Sequence, residues 1–436
     1  MLSTPGCGLE RVACGAEMSG HGGMWASLPA PAKALRAIVV LPARNEAAHL
    51  PASLAALAAQ VHADGKPLDR SSFEVLLLAN NCVDASASIA RRFAAGQPGF
   101  VLHVVEAALP PAQANIGYVR RQLMDQAALR LESIGRPDSP IVSTDADTRV
   151  APDWLVATWR ELATGCDAVG GRILTDDSVR PSPAALRLQR VDAAHALLRL
   201  RLASLLDPLP FDPWPSHHQH FGASLAVTAR AYRLAGGVPD VPYLEDDALV
   251  RALERFDLRV RRSPQVRVVT SSRLDGRAAV GLSWQLRQWA KVAEVAEVAD
   301  GANAADVADV AMHPHDPMVE DPQRYADSLA VRAVLRRAWQ RHGVALAQHL
   351  PAGLDARLHV PPGSIGHAAR ATCAFGALWQ DLEAQRSEAG VHAPPPVPIS
   401  RALVALRSLV RCQLAASAHA ADGACTADGA SNTSMR

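Results

Sequence analysis

Two aspartates stand one residue apart at the end of the segment 140–147, which begins with apolar residues. In an extended chain, side chains at positions i and i+2 point to the same side, so the carboxylates of Asp145 and Asp147 should converge. Two carboxylates held close together either split their pKa values or share a cation. A divalent cation that binds oxygen ligands and also holds a substrate diphosphate is the common solution. The alternative is an aspartate-rich turn that closes a strand.

A second acidic cluster, Glu245-Asp246-Asp247, follows about 100 residues later at the predicted start of a helix. Carboxylates in a first helical turn complement the helix dipole, which is a purely structural explanation. The functional interpretation is a general base, a carboxylate that takes a proton from an attacking hydroxyl.

Two other segments carry groups that bind metals or anions. Residues 217–220 contain three histidines, of which His220 is the best candidate for a metal ligand, although a lone histidine is more often structural. Residues 271–277 form a basic loop with Arg273 and Arg277, suited to gripping phosphate or carboxylate oxygens. Solvated surface arginines explain the loop equally well.

The composition excludes several classes of protein. The chain has 436 residues, a formal net charge of +1 and only 4% aromatic residues, so we expect no nucleic-acid partner. Its seven cysteines contain no CxxC pair, which favours neither a zinc site nor a disulfide framework and predicts a cytoplasmic protein. No stretch approaches 18 uncharged apolar residues, so we expect no transmembrane segment.

Strand and helix patterns alternate from residue 36. A continuous apolar run at 37–41 predicts a parallel strand buried on both faces, the mostly apolar segments 73–78 and 101–105 predict a second and a third strand, and a fourth strand leads into the aspartate pair. Repeated strand–helix units predict a doubly wound, mainly parallel α/β sheet with helices on both faces. Ligands of such sheets bind at the carboxyl ends of the strands. Residues 44–46, Asn80 with Asn81, and the aspartate pair should all lie there.

The remainder of the chain is predicted to be mostly helical. A helix that carries Arg401, Arg407 and Arg411 is amphipathic and basic. It is expected to dock on the core, and a peripheral contact with a membrane surface is the alternative. The glycine fingerprint of nicotinamide-binding proteins and the P-loop lysine motif are both missing, which disfavours a dehydrogenase and a P-loop ATPase.

Four short segments together resemble family 2 glycosyltransferases, which have a GT-A fold. The segment 38–46 resembles the opening strand of that family, and 80–86 resembles its second-strand turn. Residues 144–148 resemble its DxD metal motif, and 245–249 resemble its Glu-Asp motif. Each segment is weakly specific alone, but their order and their positions at strand ends are more specific.

The resemblance implies a GT-A-like domain over residues 36–280, with a nucleotide-sugar half at 36–175 and an acceptor half at 176–280. Outside it we expect a loose leader over 1–35, a helical extension over 281–415 and a disordered tail over 416–436.

The resemblance also implies the reaction and its residues. A sugar would move from a UDP- or GDP-sugar donor to an unidentified hydroxyl acceptor, with Mn²⁺ or Mg²⁺ held by Asp147 and Asp145. His220 is a further candidate ligand. Asp246, next to Glu245, matches the catalytic base of inverting members. The residues that match or adjoin the nucleotide-sugar site are Pro42, Arg44, Glu46, Asn80, Asn81, Arg120 and Asp145.

Some features depart from the family or point elsewhere. Asn80 and Asn81 replace the usual acidic residue of the second-strand turn, which leaves recognition of the base open. The Asp-Ala-Asp motif also resembles that of soluble retaining enzymes with glycerate-type acceptors, in which Asp246 would not be the base. The alternatives from other classes are a non-catalytic nucleotide-sugar-binding protein and a nucleotidyltransferase.

Overall fold

A computed structural model describes residues 22–219, 222–276, 280–302, 316–388 and 394–430. The strands are β1 (Ala37–Ala43), β2 (Phe73–Asn80), β3 (Leu102–Ala107), β4 (Pro140–Ser143), β5 (Thr148–Val150), β6 (Ala168–Thr175), β7 (Leu225–Thr228), β8 (Val260–Thr270), β9 (Met318–Val319) and β10 (Val397–Pro398).

The α-helices begin with α1 (Gly22–Trp25), α2 (Leu50–Ala58), α3 (Ser86–Ala95), α4 (Ile116–Ser133), α5 (Trp154–Leu162), α6 (Pro183–Leu206) and α7 (Ala229–Leu234). They continue with α8 (Glu245–Arg255), α9 (Leu282–Ala302), α10 (Pro322–His342), α11 (Leu354–Leu358), α12 (Ser364–Ala371), α13 (Phe375–Glu388) and α14 (Ile399–Ala430). None of these helices combines the length and the apolar character that a membrane crossing requires.

The chain divides into two compact units. The first contains the described residues up to 178, together with 219–281 and 371–377. It holds one eight-stranded sheet in the order β3-β2-β1-β4-β7-β6-β8-β5. Four neighbouring pairs of strands are parallel and three are antiparallel. The predicted mixed α/β fold with a mainly parallel sheet is therefore confirmed.

Apolar runs form the central strands because both faces of the sheet are covered. In β1, Val39 and Leu41 enter one hydrophobic cluster, which α2, α3 and α5 complete. Ile38 and Val40 point the other way into a second cluster, which α4, α7 and α8 complete. Alternate side chains of a strand face opposite sides, so two buried faces require an unbroken apolar sequence.

The second unit is mostly helical, as predicted for the C-terminal extension. In α14, Leu406 and Val410 are buried in a hydrophobic cluster with Leu202 of α6 and Leu329 of α10. Arg401, Arg407 and Arg411 of the same helix are exposed. This arrangement agrees with the core-docking interpretation of the C-terminal helix.

Both predicted unstructured ends contain structure in the described part of the chain. Trp25 and Leu35 of the expected leader are buried, Trp25 in the second cluster, because large apolar side chains leave water where the sheet offers a surface. Residues 1–21 lie outside the described residues. At the other end α14 continues to Ala430, past residue 416, where a disordered tail was predicted to begin.

Candidate functional site

The carboxyl ends of β1 and β2 turn sharply at two asparagines in the left-handed conformation. Asn45 has φ 54° and Asn81 has φ 49°, a region that asparagine tolerates better than most residues. Asn45 Oδ1 accepts a hydrogen bond from Val83 N at 2.8 Å. The Asn81 side chain donates to Leu109 O at 2.9 Å and accepts from Leu109 N at 3.2 Å. Both side chains therefore fasten the loops that follow these strands.

Three other side chains of the predicted nucleotide-sugar site lie at the same strand ends. Pro42 is buried within β1, where it pairs with Leu78 of β2. Asn80, the last residue of β2, is also buried. Arg44 is exposed, and its Nη1 donates to Ala114 O at 3.1 Å. Of the three, Arg44 is the one that solvent reaches freely.

Arg273 follows β8 and links the end of β1 to the loop after β4. Its Nη1 and Nη2 donate to the two oxygens of Glu46 at 2.8 and 2.6 Å. Nη2 also lies 2.7 Å from Oδ2 of Asp147. The other oxygen of Asp147 accepts a hydrogen bond from Thr270 Oγ1 at 3.4 Å. Arg273 thus joins two carboxylates that stand about 100 residues apart in the sequence.

The environment of Asp147 disfavours its negative charge. Its side chain is only 13% exposed. Burial, followed by the charge of Asp145, raises the pKa of Asp147 to about 6, although Arg273 opposes the shift. The carboxylate is therefore mostly ionised at pH 7 but is short of compensating positive charge.

Arg120 of α4 is the centre of a second group of ion pairs. The side chain is 3% exposed, and its Nε donates to Oε1 of Glu245 at 2.8 Å. Nη2 donates to Oδ1 of Asp145 at 2.9 Å, and Nη1 donates to Gly222 O at 3.2 Å and to the hydroxyl of Ser143. Although burial lowers the pKa of Arg120, Asp145 and Glu245 more than offset it and hold that pKa well above its usual range.

Gly222 leaves the space that the Arg120 guanidinium occupies, because it has no side chain. A Cβ atom at position 222 would lie 2.6 Å from Cζ of Arg120, which is closer than real Cβ atoms approach a neighbour. Any other residue at this position would therefore move the guanidinium or the backbone.

The second acidic cluster turns inward at the start of α8. Leu244 precedes the helix with φ 56°, and Glu245 pairs with Arg120. Asp246 Oδ2 accepts a hydrogen bond from Gly222 N at 2.6 Å, and its Oδ1 accepts one from Asp247 N at 2.9 Å. Interaction with the helix dipole alone would not require burial of these two side chains, yet both are buried.

The pKa of Asp246 is raised in the same way as that of Asp147. Burial is the main cause and the adjacent charge of Glu245 is the second, and together they raise the pKa of Asp246 to about 6. Arg120 and the two backbone N–H groups oppose this shift. A carboxylate with such a pKa is ionised at neutral pH and is a stronger base than an ordinary aspartate.

The edge of the sheet carries an excess of negative charge. Its two groups contain five carboxylates and two guanidiniums, a net charge of −3 when all are ionised. Among the described residues, no three His, Cys, Asp or Glu side chains are arranged as a ready-made metal cage. Asp145 is partly open to solvent, with its side chain 35% exposed. Such a donor set suits Mg²⁺ or Mn²⁺ held by one or two carboxylates together with the phosphates of a substrate.

Most of the charged residues at this edge could be predicted from the sequence, but their partners could not. His220, the third proposed metal ligand, lies outside the described residues. Ser143 and Gly222, which hold Arg120, and Thr270, which contacts Asp147, were not predicted. Ser143 had a usable signal, because it ends the strand that leads into the aspartate pair. No sequence pattern indicated a role for Gly222 or Thr270.

Comparisons with known proteins return only distant matches. No protein-family model matches the chain, and no curated protein matches its sequence. Among solved structures, residues 1–349 of TarS from S. aureus, in complex with UDP-GlcNAc, match at 12% identity and a TM-score of 0.40, covering 81% of this chain and 92% of that chain.

Two other solved structures match similarly. Mannosyltransferase PcManGT from Pyrobaculum calidifontis, in complex with GDP-Man and Mn²⁺, is 18% identical with a TM-score of 0.40, covering 84% of this chain and 92% of that chain. Glucosyl-3-phosphoglycerate synthase from Mycobacterium tuberculosis, in complex with UDP, is 17% identical with a TM-score of 0.34, covering 59% of this chain and 80% of that chain. Similarities at this level assign neither a family nor an activity to the chain.

Proposed function

We propose that the chain is a glycosyltransferase that moves a sugar from a nucleotide-sugar donor to a hydroxyl acceptor. The observation that supports this most strongly is the gathering of five carboxylates at one edge of the sheet, around Arg120 and Arg273. They come from three segments of the chain, at residue 46, residues 145–147 and residues 245–246. This edge lies at the carboxyl ends of β1, β2 and β4, where parallel sheets bind ligands.

Asp147 and Asp145 are the proposed ligands of a divalent cation. A departing nucleoside diphosphate gains negative charge, and a bound Mn²⁺ or Mg²⁺ would neutralise that charge. Asp147 is mostly ionised at pH 7, and Asp145 keeps part of its side chain open to solvent. Both can therefore offer a carboxylate oxygen to the cation.

Asp246 is the proposed general base. It would take the proton of the acceptor hydroxyl while that oxygen attacks the anomeric carbon in line, which inverts the configuration. Two backbone N–H groups orient its carboxylate, and burial keeps its pKa near 6, close to the pH at which it would work. A product with retained configuration would remove this role from Asp246 and favour the retaining alternative.

The donor is proposed to lie along the ends of β1 and β2. In this region Arg44 is exposed and Asp145 is partly exposed. The nucleotide would also contact Glu46 and the turns at Asn80 and Asn81. The acceptor stays unidentified, and a cytoplasmic location stays a prediction.

The proposed reaction is tested by measuring nucleoside diphosphate release from UDP-, GDP- and dTDP-sugars, with Mn²⁺ and with a chelator. Metal-dependent release from one donor is the expected result. Release of pyrophosphate instead would indicate a nucleotidyltransferase. Binding of a donor without any release, even with a broad set of acceptors, would favour the non-catalytic binding protein.

Replacing Asp246 with asparagine is expected to lower turnover at least about a hundredfold, the usual contribution of a general base. Asparagine keeps one oxygen acceptor for the backbone N–H groups but cannot take a proton. Steady-state transfer assays measure the loss. In the unchanged protein, kcat/KM should also fall as the pH drops through about 6, because Asp246 and the proposed metal ligand Asp147 are then both protonated.

Asp247→Asn is the matched control for this prediction. Asp247 is the next residue of the same helix and pairs with Arg251 on its more exposed side, with Oδ2 2.8 Å from Nε. We expect the Asp247→Asn variant to keep its turnover. Equal losses in the two variants, or unchanged turnover in Asp246→Asn, would remove Asp246 from the base role.

A further inference from the structure

Arg273 occupies the space between two carboxylates that the proposed function assigns to ligands. Glu46 belongs to the nucleotide-sugar site, and Asp147 belongs to the cation. The Arg273 guanidinium contacts Glu46 through two hydrogen bonds and Asp147 through one short ion pair. A positive charge between two carboxylates relieves their repulsion, as a bound metal ion does.

The Arg273 side chain supplies less charge than a metal ion would. One guanidinium carries a charge of +1 against the two negative charges of Glu46 and Asp147. Arg273 is shared between them, with two hydrogen bonds to Glu46 and one ion pair to Asp147. Asp147 is therefore only partly compensated, and a divalent cation would compensate it better.

The loop that carries Arg273 is anchored independently of these carboxylates. Ser272 N and Oγ both donate to Oδ1 of Asp176 at 3.0 Å, and Ser272 Oγ lies 3.0 Å from Ser178 Oγ. Asp176 is well stabilised as an anion: although burial raises its pKa, hydrogen bonds from Ser178 and Ser272 outweigh this effect and lower the pKa to about 2. The Arg273 side chain, which is 22% exposed, can consequently swing away while the backbone of the loop stays in place.

We propose that Arg273 is an internal counter-cation that competes with the divalent cation for Asp147 and masks Glu46 until a donor arrives. This inference rests on the proposed function, because it takes Asp147 as a metal ligand. Metal binding then requires displacement of the guanidinium from Asp147. A donor would favour this step, since its diphosphate adds ligands for the metal and offers anionic oxygens to the released arginine. Metal and donor would therefore bind with positive cooperativity.

The test is the affinity for Mn²⁺ without donor, measured by titration calorimetry and by the electron paramagnetic resonance of free Mn²⁺. Arg273→Gln removes the competing charge, so we expect it to bind Mn²⁺ about tenfold more tightly than the unchanged protein, a difference of about 1.4 kcal/mol. Addition of Asp147→Asn to this variant should abolish the gain. Unchanged or weaker binding in Arg273→Gln, including no binding in any variant, would overturn the proposal.

Two further variants control for effects on folding. Arg230→Gln removes a similar two-bond pair with Asp138 on an exposed surface, and it should bind Mn²⁺ like the unchanged protein. Arg273→Lys keeps the positive charge but cannot form both hydrogen bonds to Glu46. Its affinity for Mn²⁺ should therefore lie between those of the unchanged protein and Arg273→Gln. If Arg273→Gln does not fold, an Arg273→Lys variant with the affinity of the unchanged protein overturns the proposal.

The outcome is separable from that of the proposed function. Mn²⁺ affinity is measured without donor or acceptor. Tighter binding in Arg273→Gln would therefore support competition at Asp147 even if no donor releases its nucleoside diphosphate. Conversely, metal-dependent release with equal Mn²⁺ affinities would support the transferase and exclude the counter-cation.

Discussion

Replacement of Asp147 with alanine is expected to lower metal-dependent nucleoside diphosphate release about a thousandfold. A cation that stabilises the leaving group contributes several kcal/mol, and about 4 kcal/mol corresponds to this factor. The fold should survive, because Arg273 keeps both of its hydrogen bonds to Glu46. The raised pKa of Asp147 also means that its ionised form is less favourable in the folded protein than in the unfolded chain. At pH 7 its removal should therefore leave the Tm unchanged or slightly raised.

Asp138→Ala is the control for Asp147→Ala. Asp138 also accepts hydrogen bonds from an arginine, Arg230, but on an exposed surface. We expect it to keep the rate of release of the unchanged protein. Full activity in Asp147→Ala would show that this carboxylate is not a metal ligand, and an equal loss in both variants would point to a general effect of removing an ion pair.

Replacement of Arg120 with methionine is expected to lower the free energy of unfolding by about 3–5 kcal/mol. The change leaves the buried carboxylate of Glu245 without its cation, and it removes donors from Asp145, Ser143 and Gly222. An unpaired buried charge is costly because water cannot solvate it. Urea unfolding at pH 7, followed by circular dichroism, measures the loss.

The neighbouring Arg121 provides the control for this prediction. Its side chain is 35% exposed, lies 3.7 Å from Asp125 and donates to Val238 O, so Arg121→Met should cost about 1 kcal/mol. Adding Glu245→Gln to Arg120→Met should restore part of the stability, because the unpaired charge is then removed. Similar losses in the two single variants would contradict the central role of Arg120.

The central strands and the acidic residues at their ends could be predicted from local patterns. The run at 37–41 is apolar at every position, and the run at 73–78 is apolar except for Glu74, because both faces of β1 and β2 are buried, and this signal is carried by the sequence itself. Asp145 and Asp147 stand out because they follow such a run directly. Local pattern was therefore enough to locate the edge of the sheet.

The pairing of those acidic residues could not be predicted in the same way. The sequence predicted a strand that continues through both aspartates, but β4 ends at Ser143. Asp145 then meets Arg120 and Asp147 meets Arg273, so the two carboxylates belong to different ion-pair groups. The local sequence fitted an Arg273 that binds phosphate as well as one that is solvated at the surface, because its partner Glu46 lies 227 residues away. Such contacts depend on the topology of the sheet and cannot be recognised from a local sequence pattern.

The contacts of Arg120 have a consequence for the order in which the protein folds. Glu245 follows Arg120 by 125 residues, and Gly222 follows it by 102. A ribosome that adds about 5–20 residues per second needs roughly 6 to 25 s to synthesise the longer interval. Until then α4 carries a guanidinium that can reach Ser143 and Asp145 but lacks Glu245, its buried ion-pair partner, which opposes early burial of that part of the helix.

The amide of Gly222 would report on this order. Its N–H group is hydrogen-bonded to Asp246, so it becomes protected from hydrogen exchange only after α8 has docked. In refolding experiments we expect its protection to appear later than that of the amides between β1 and β2, because Gly222 and Asp246 form their site with Arg120, whose contacts with Glu245 and Gly222 span 125 and 102 residues, whereas Ala37 and Phe73, which pair between β1 and β2, are 36 residues apart. The candidate site would then be among the last parts of the first unit to form, and a chain truncated before residue 245 would contain most of the parallel strands without a site.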